Sequence, residues 1–87
     1  MEEMINRIAD MYGKEPQLVM LMEECGELIQ ACSKQLRRKD KSINNLIEEL
    51  ADVRIMIEQI EHLYGIKSFV EDEMKYKLIR QLERMKA

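Results

Sequence analysis

The chain has 87 residues, so residues 1–87 are expected to form a single domain. Hydrophobic residues make up 46% and charged residues 36%, with eight Met and one Pro, a composition that favours helices over a sheet. The formal net charge of −3 argues against nucleic acid as a partner, because such binding depends on neutralising phosphates with Lys and Arg.

Two further classes of protein are excluded by the sequence. There is no apolar run of about 18 residues, so no membrane association is expected. The amino terminus lacks the basic and apolar segments of a secretion signal, so the predicted location is cytoplasmic. Cys25 and Cys32 are seven residues apart on one predicted helix, about 10 Å along its axis, which is too far for a disulfide. They are expected to be buried thiols.

The first half of the chain predicts two helices. Met1 to Tyr12 has apolar residues at helical spacing and is followed by Gly13, which suits the position just past a helix end. A second helix starts near Pro16, which fits a first turn, and runs to about Arg38. Its apolar residues are expected to share one face: Leu18, Leu21, Met22, Cys25, Leu28, Ile29, Cys32 and Leu36.

The second half predicts two more helices. Ser42 can cap a third helix that ends at Gly65, and a fourth begins near Ser68. Because the second and third helices are joined by a short turn, they should pack antiparallel. We therefore expect an all-α fold, an antiparallel bundle of about four helices per chain. A chain this short gains stability by association, so the bundle should be completed in a homodimer or homotetramer.

Two pairs of acidic residues stand on the two central helices. Glu24 and Glu27 share one helical face, as do Glu49 and Asp52. Counted outward from the turn, the two pairs fall at similar heights and should face each other. Four converging carboxylates repel one another unless they protonate or bind a cation. An all-oxygen cluster suits Mg²⁺, with Mn²⁺ as an alternative. The competing interpretation is that all four are ordinary exposed acids.

Neighbouring residues extend this hypothesis. Gly26 lies mid-helix, where glycine costs about 1 kcal/mol relative to alanine. Close approach of a neighbouring helix or a ligand would explain it, and the alternative is a tolerated defect. Lys34 and Arg38 continue the stripe of Glu24 and Glu27, where they could bind phosphate. The alternative is that both cations only complement the negative end of the helix dipole.

The pattern Glu24-x-x-Glu27, 21 residues, Glu49-x-x-Asp52 resembles the signature of the MazG-like all-α nucleoside triphosphate pyrophosphohydrolases. The surrounding sequence is also similar, over residues 23–31 and 48–53. The resemblance implies Mg²⁺-dependent hydrolysis of a (deoxy)nucleoside triphosphate to the monophosphate and pyrophosphate. These four acids would then be the metal ligands.

The resemblance also implies roles for residues outside the four acids. Glu23 and Glu48 would orient or deprotonate the attacking water. Base recognition is obscure because the chain has no Trp. The candidates for base contact are Tyr12, Met20, Asn45 and Tyr64.

Two alternative functions are considered. A di-iron bundle needs Glu-x-x-His motifs, but Gln59 stands three residues before His62, the sole histidine. The stronger alternative is a non-catalytic helical oligomerisation or interaction module that retains the acids and binds partners through adaptable Met-rich faces.

Overall fold

Four α-helices account for nearly all of residues 1–39 and 41–86, the part of the chain that the computed structural model describes. They are α1 (Glu2–Tyr12), α2 (Lys14–Leu36), α3 (Asn44–Tyr64) and α4 (Lys67–Lys86). No strand occurs among these residues, and the predicted all-α class is confirmed. None of the helices in these ranges is long and apolar enough to cross a membrane.

Two glycines end helices as the sequence predicts. Gly13 follows α1 with φ of 85°, and its N–H donates to the carbonyl of Ala9. Gly65 follows α3 in the left-handed region, with φ of 63° and ψ of 37°. The N–H of Gly65 donates to His62 O and that of Ile66 to Glu61 O, which satisfies two carbonyls of the last turn. Residues with a side chain rarely adopt this conformation.

The start of α3 differs slightly from the prediction. The helix begins at Asn44, two residues after Ser42. The Ser42 hydroxyl still accepts a hydrogen bond from the Asn44 N–H at 3.1 Å. Ser42 therefore satisfies a free N–H of the first turn, although the cap position itself is occupied by Ile43.

Helices α2 and α3 run antiparallel and form the main packing unit. Gln17 near the start of α2 bonds to Gln59 near the end of α3, whereas Glu24 and Glu27 of α2 lie beside Glu49 and Asp52 of α3. Residue numbers thus rise along one helix as they fall along the other. We call this unit the α2–α3 hairpin.

The two helices meet along an inner row of residues on each, spaced alternately by four and three as in coiled-coil packing. All members are buried or half-buried. On α2 the inner row is Gln17, Leu21, Glu24, Leu28, Ala31 and Gln35; on α3 it is Leu46, Glu49, Val53, Met56, Ile60 and Leu63.

The predicted single apolar face of α2 proves to be two faces. Leu21 and Leu28 are on the inner row, whereas six other residues, each one place after an inner-row member, form an exposed outer row: Leu18, Met22, Cys25, Ile29, Cys32 and Leu36. One residue is a rotation of about 100°, which turns the outer row away from α3. The prediction that Cys25 and Cys32 are buried was therefore wrong, since both thiols are exposed.

Helix α1 covers one side of the hairpin. Its buried residues are Ile5 and Ala9. The Gln59 side-chain amide donates to Ile5 O at 3.3 Å, and His62 Nε2 lies 2.9 Å from an Asp10 carboxylate oxygen. Gln59 stands one place before an inner-row residue, so α1 lies on the side opposite the outer row.

Helix α4 packs differently from the other three. It contacts the end of α3, and none of its residues from Lys67 to Lys86 is buried. The helically spaced apolar residues Val70, Met74, Leu78 and Leu82 therefore have little cover among the described residues. The bundle that the sequence predicts is not completed by α4 within one chain, and its completion stays a prediction.

Candidate functional site

The four acids predicted to converge do so at the middle of the hairpin. Glu24, Glu27, Glu49 and Asp52 each place a carboxylate oxygen within 4.8 Å of those of the other three. Glu24 and Glu49 belong to the inner rows, whereas Glu27 and Asp52 are exposed on the side of the hairpin where α1 lies. The acidic cluster therefore opens toward that side.

Each of the two inner acids has one oxygen without a hydrogen-bond partner among the described residues. Oε2 of Glu24 and Oε2 of Glu49 are shielded from solvent and have no hydrogen-bond partner among the described residues. A shielded acceptor without a hydrogen-bond partner is unfavourable, and more so when it is charged. No described Lys, Arg or His forms a salt bridge with either acid at 4.0 Å or less. A cation, a proton or a water molecule could satisfy these oxygens.

The pKa values of the same two residues, Glu24 and Glu49, are raised by their surroundings. Burial is the largest cause that raises the pKa of Glu24 above its ordinary 4.5, followed by the charges of Glu27, Asp52 and Glu49. Burial is likewise the first cause that raises the pKa of Glu49, followed by Glu27 and Asp52. Both shifts mean that the ionised cluster is unfavourable without a counter-charge.

The donor set fits a hard divalent cation. All four donors are carboxylate oxygens, the ligand type that Mg²⁺ and Mn²⁺ prefer, and no His or Cys belongs to the acidic cluster. The unpaired oxygens of Glu24 and Glu49 are an independent observation that supports the same fit. Glu24, Glu27, Glu49 and Asp52 are therefore the residues that could hold such an ion.

The remaining predicted site residues lie around the acidic cluster. Glu23, Lys34 and Glu48 are exposed, and each stands one place before an inner-row residue, which puts it on the open side. Arg38 is also exposed but lies beyond the end of α2, with φ of 57°. The prediction for Arg38 assumes that α2 continues to that residue, but α2 ends at Leu36. The Arg38 side chain is therefore not aligned with Glu24 and Glu27 by the helix.

Gly26 does not have the close neighbour that the sequence predicts. A Cβ placed on Gly26 would have no other atom within 4 Å, except for its own chain neighbours and local helix backbone. The residue points away from α3 and is exposed. No described helix therefore approaches Gly26 closely, and that explanation was wrong, whereas the approach of a ligand stays a prediction.

An apolar cavity of about 300 Å³ lies next to the acidic cluster, between α1 and the hairpin. Met56 lines both this cavity and a smaller cleft of about 90 Å³ beside Glu24 and Asp52. Tyr12 and Met20, two of the predicted base-contact residues, are among its lining residues. The complete lining is Ile8, Tyr12, Pro16, Gln17, Met20, Met56 and Gln59.

Two of these lining residues are not predicted as site residues from the sequence. Gln17 and Gln59 are 4% and 2% exposed, and the Gln17 side-chain amide donates to Gln59 Oε1 at 2.8 Å. In the sequence, Gln59 serves only to rule out a Glu-x-x-His motif. One signal could have found Gln17: it continues the four-and-three spacing of Leu21, Glu24 and Leu28, and a buried polar side chain needs a partner.

Other candidate residues are placed elsewhere. Tyr64 is stacked under the Lys14 ammonium, 5.0 Å from the ring centre. Asn45 is half-buried near the start of α3. His62 is partly exposed near the end of α3 and pairs with Asp10. It also borders a cavity of about 330 Å³ between α1, α3 and the start of α4, about 15 Å along α3 from Asp52.

Comparison of the chain with protein-family models, with curated proteins and with solved structures found no match in any of the three. The sequence motif and the geometry of the site are therefore the basis for a functional proposal.

Proposed function

We propose that the chain is a Mg²⁺-dependent nucleoside triphosphate pyrophosphohydrolase, with Mn²⁺ as a possible substitute. The reaction would convert a (deoxy)nucleoside triphosphate and water to the monophosphate and pyrophosphate. The observation that carries the proposal is the acidic cluster, in which Glu24 and Glu49 each bury an oxygen without a hydrogen-bond partner. The MazG-like motif carried by the same four residues supports the specific reaction.

The chemistry of phosphoryl transfer agrees with this set of residues. Such reactions depend mainly on positioning and on neutralising phosphate charge. Glu24, Glu27, Glu49 and Asp52 would hold a divalent cation, which would contribute to that neutralisation when bound. Glu23 and Glu48, exposed beside the acidic cluster, are proposed to orient or deprotonate the attacking water. The water oxygen bonds to the α-phosphorus as the bond to the α–β bridging oxygen breaks, and pyrophosphate leaves.

Lys34 is the better placed of the two proposed phosphate-binding cations. It belongs to α2 and lies on the open side of the hairpin, about 10 Å along the helix from Glu27. A substrate bound at the acidic cluster could extend its outer phosphates toward Lys34. Arg38 is also proposed to bind phosphate, but its position depends on the turn after α2 rather than on α2 itself.

The apolar cavity is proposed to receive the nucleobase. It adjoins the acidic cluster through Met56 and has Tyr12 at 60% exposure on its wall, where the ring is accessible for stacking. Most of the lining is apolar, which suits the faces of a planar ring, and the amides of Gln17 and Gln59 supply polar groups. This arrangement puts the base and the phosphates on the same side of the hairpin.

The decisive experiment is incubation of the protein with a panel of canonical and modified nucleoside triphosphates and Mg²⁺, with products separated by chromatography. We expect equimolar monophosphate and pyrophosphate from at least one nucleotide. Release of inorganic phosphate with the diphosphate would indicate cleavage at the wrong bond. No turnover of any nucleotide by folded protein, with Mg²⁺ or Mn²⁺, would contradict the proposal.

The alternative is a non-catalytic oligomerisation or interaction module that retains the acidic cluster. The exposed outer row of α2 and the uncovered α4 favour this function, since helices of monomeric proteins usually bury one face and present polar residues on the other. The two functions are compatible with the same surface. They are separated by the nucleotide panel, because the module would associate normally but release no pyrophosphate.

A further inference from the structure

A chain of hydrogen bonds links α2, α3 and α1 at the wall of the apolar cavity. The Gln17 side-chain amide donates to Gln59 Oε1 at 2.8 Å, and the Gln59 amide donates to Ile5 O at 3.3 Å. Both glutamines are buried, and both line the cavity. The two amide groups are therefore held in place from all three helices that surround the cavity.

The orientation of both amides is fixed by the carbonyl of Ile5. A backbone carbonyl can only accept, so the Gln59 group that faces Ile5 O must be the NH2 group. The Gln59 oxygen then faces Gln17 and requires a donor there. Rotating the Gln17 amide by half a turn would place two oxygens against each other. Gln17 therefore directs its NH2 group to Gln59 and keeps its oxygen, Oε1, for another partner.

Gln17 Oε1 is accessible in the cavity. No hydrogen bond to this oxygen is formed by any residue that the structure describes. Among those residues, the shielded side-chain acceptors without a partner are on Glu24 and Glu49, so Gln17 Oε1 retains accessible surface. The neighbouring cavity wall is mostly apolar. The cavity thus presents one amide oxygen that requires a hydrogen-bond donor from whatever fills it.

The position of the glutamines relative to the acidic cluster decides which part of a nucleotide meets them. Gln17 is seven residues before Glu24 on α2, and Gln59 is seven residues after Asp52 on α3, about 10 Å along each helix. The Watson–Crick edge of a base points away from the phosphates of its nucleotide. A nucleotide with its phosphates at the acidic cluster and its base in the cavity therefore directs this edge toward the glutamines.

We propose that Gln17 Oε1 accepts a hydrogen bond from an N–H group on the Watson–Crick edge of the substrate base, which makes Gln17 a specificity-determining residue. This inference rests on the proposed function for the identity of the ligand as a nucleotide. Adenine and cytosine offer an amino group at that edge, and guanine, uracil and thymine offer a ring N–H. The substrate class is nucleoside triphosphates with an unmodified Watson–Crick edge, and nucleotides alkylated there are excluded.

The fixed orientation of the amide is the reason for this specificity. A base without the N–H would fill the cavity and leave Gln17 Oε1 shielded and unpaired, which is unfavourable. The amide cannot turn to offer a donor instead, because that would break its hydrogen bond to Gln59. Sites built to bind a donor reject analogues that lack it for this reason.

The test measures nucleoside binding in EDTA, so it depends neither on a metal nor on hydrolysis. Adenosine, guanosine, cytidine and uridine are titrated at millimolar concentration, with the side-chain amide signals of the glutamines followed by NMR. Purine riboside and 2-pyrimidinone riboside, which have no N–H on the Watson–Crick edge, are the donor-free counterparts. We expect the best natural nucleoside to shift the Gln17 signal and to bind at least about fivefold more tightly than its counterpart.

The substitution Gln17→Met separates base recognition from a structural role. Its matched control is Gln30→Met, at an exposed position of the same helix. Structural damage alone weakens binding of both nucleosides in a pair, whereas loss of the acceptor removes the difference between them. We expect the affinity ratio to fall to within about twofold in Gln17→Met and to stay unchanged in Gln30→Met. Circular dichroism checks that both variants are helical.

The proposal is overturned if no nucleoside shifts the Gln17 signal, if the wild type binds both members of each pair equally, or if helical Gln17→Met keeps the ratio. If Gln17→Met does not fold, the wild-type ratio and the Gln17 signal decide. Failure of the proposed function has a different result: the donor-dependent ratio is present, but no triphosphate is hydrolysed with Mg²⁺. Turnover without the ratio contradicts the role of Gln17 alone.

Discussion

Gln17 and Gln59 hydrogen-bond across the hairpin at 2.8 Å, and this contact fixes which acids face each other. Seven residues after Gln17 comes Glu24, and seven residues before Gln59 comes Asp52. Because seven residues are close to two helical turns, the amide pair and the acidic cluster are in the same packing register. A change at the glutamines should therefore affect both stability and the site.

Replacing Gln17 with Ala should destabilise the fold. The substitution leaves Gln59 Oε1 buried without its donor, and leaving a buried acceptor unsatisfied costs about 1–3 kcal/mol. Urea unfolding followed by circular dichroism measures the loss. Gln30→Ala, at an exposed position of the same helix, is the control and should stay within about 0.5 kcal/mol of the wild type. An equal effect of both substitutions would contradict a structural role for the amide pair.

Magnesium should stabilise the native protein, because a ligand that binds only the folded state shifts unfolding by mass action. At a Mg²⁺ concentration 100 times the dissociation constant, the gain is about 2.7 kcal/mol, equivalent to about 10 °C or more in Tm. Differential scanning fluorimetry with and without millimolar Mg²⁺ measures it. An unchanged Tm in the wild type would argue strongly against a cation site.

The substitution Glu49→Gln should remove both Mg²⁺ stabilisation and turnover. It keeps the shape of the side chain but removes a charged donor whose Oε2 is buried in the acidic cluster. We expect pyrophosphate release to fall at least about 100-fold. Glu58→Gln, on the exposed surface of the same helix, is the control and should retain activity and mass. Full activity in Glu49→Gln would place the chemistry elsewhere.

The stability of the metal-free protein should decrease as the pH rises above the ordinary carboxyl value of 4.5. The pKa values of Glu24 and Glu49 are raised by folding, so the native state binds more protons than the unfolded state in this window. Their contribution is fully present below the unfolded pKa and is lost as the pH rises through the folded pKa. Unfolding in urea with EDTA, at several pH values, measures the slope.

Two comparisons make the pH prediction specific. Glu49→Gln should reduce the decrease, since one of the two titrating groups is gone. Saturating Mg²⁺ should also reduce it, because bound cation offsets the repulsion among the carboxylates. A metal-free wild type whose stability rises steadily across the same window, with no difference in the Glu49→Gln variant, would contradict the assigned cause.

Substitution of Gly26, within α2, and of Gly65, just after the end of α3, should have opposite effects on stability. Gly26→Ala should stabilise the fold by about 0.4–1 kcal/mol, because the position is helical and a Cβ meets no atom within 4 Å. Gly65→Ala should destabilise it by about 1 kcal/mol, since φ is 63° there. Thermal unfolding of both variants checks the signs. If Gly26→Ala is more stable yet loses turnover, a ligand or partner chain approaches Gly26.

The proposed base cavity is tested by Tyr12→Ala. Removing the exposed ring should raise KM for the best nucleotide by about tenfold with a smaller change in kcat, because stacking binds substrate and transition state alike. Tyr76→Ala on α4 is a matched control, since both rings are 60% exposed. Equal kinetics for the two variants would remove Tyr12 from the site.

Much of the fold and of the acidic cluster could be predicted from the sequence, because both depend on local periodicity. The spacing of apolar residues predicts the four helices, and Gly13 and Gly65 mark two of their ends. The two acids of each pair share a helical face because they are three residues apart. A short turn then requires the two pairs to lie at similar heights, as the structure places them.

Tertiary structure alone decided which of the apolar residues are covered. Leu28 and Ile29 are adjacent and equally apolar, but a rotation of about 100° puts the first against α3 and leaves the second exposed. Sequence periodicity predicts a wide apolar stripe on α2, but it does not show which part of the stripe another helix covers. For this reason the exposure of Cys25, the open space at Gly26 and the pairing of Gln17 with Gln59 all follow from how the helices pack.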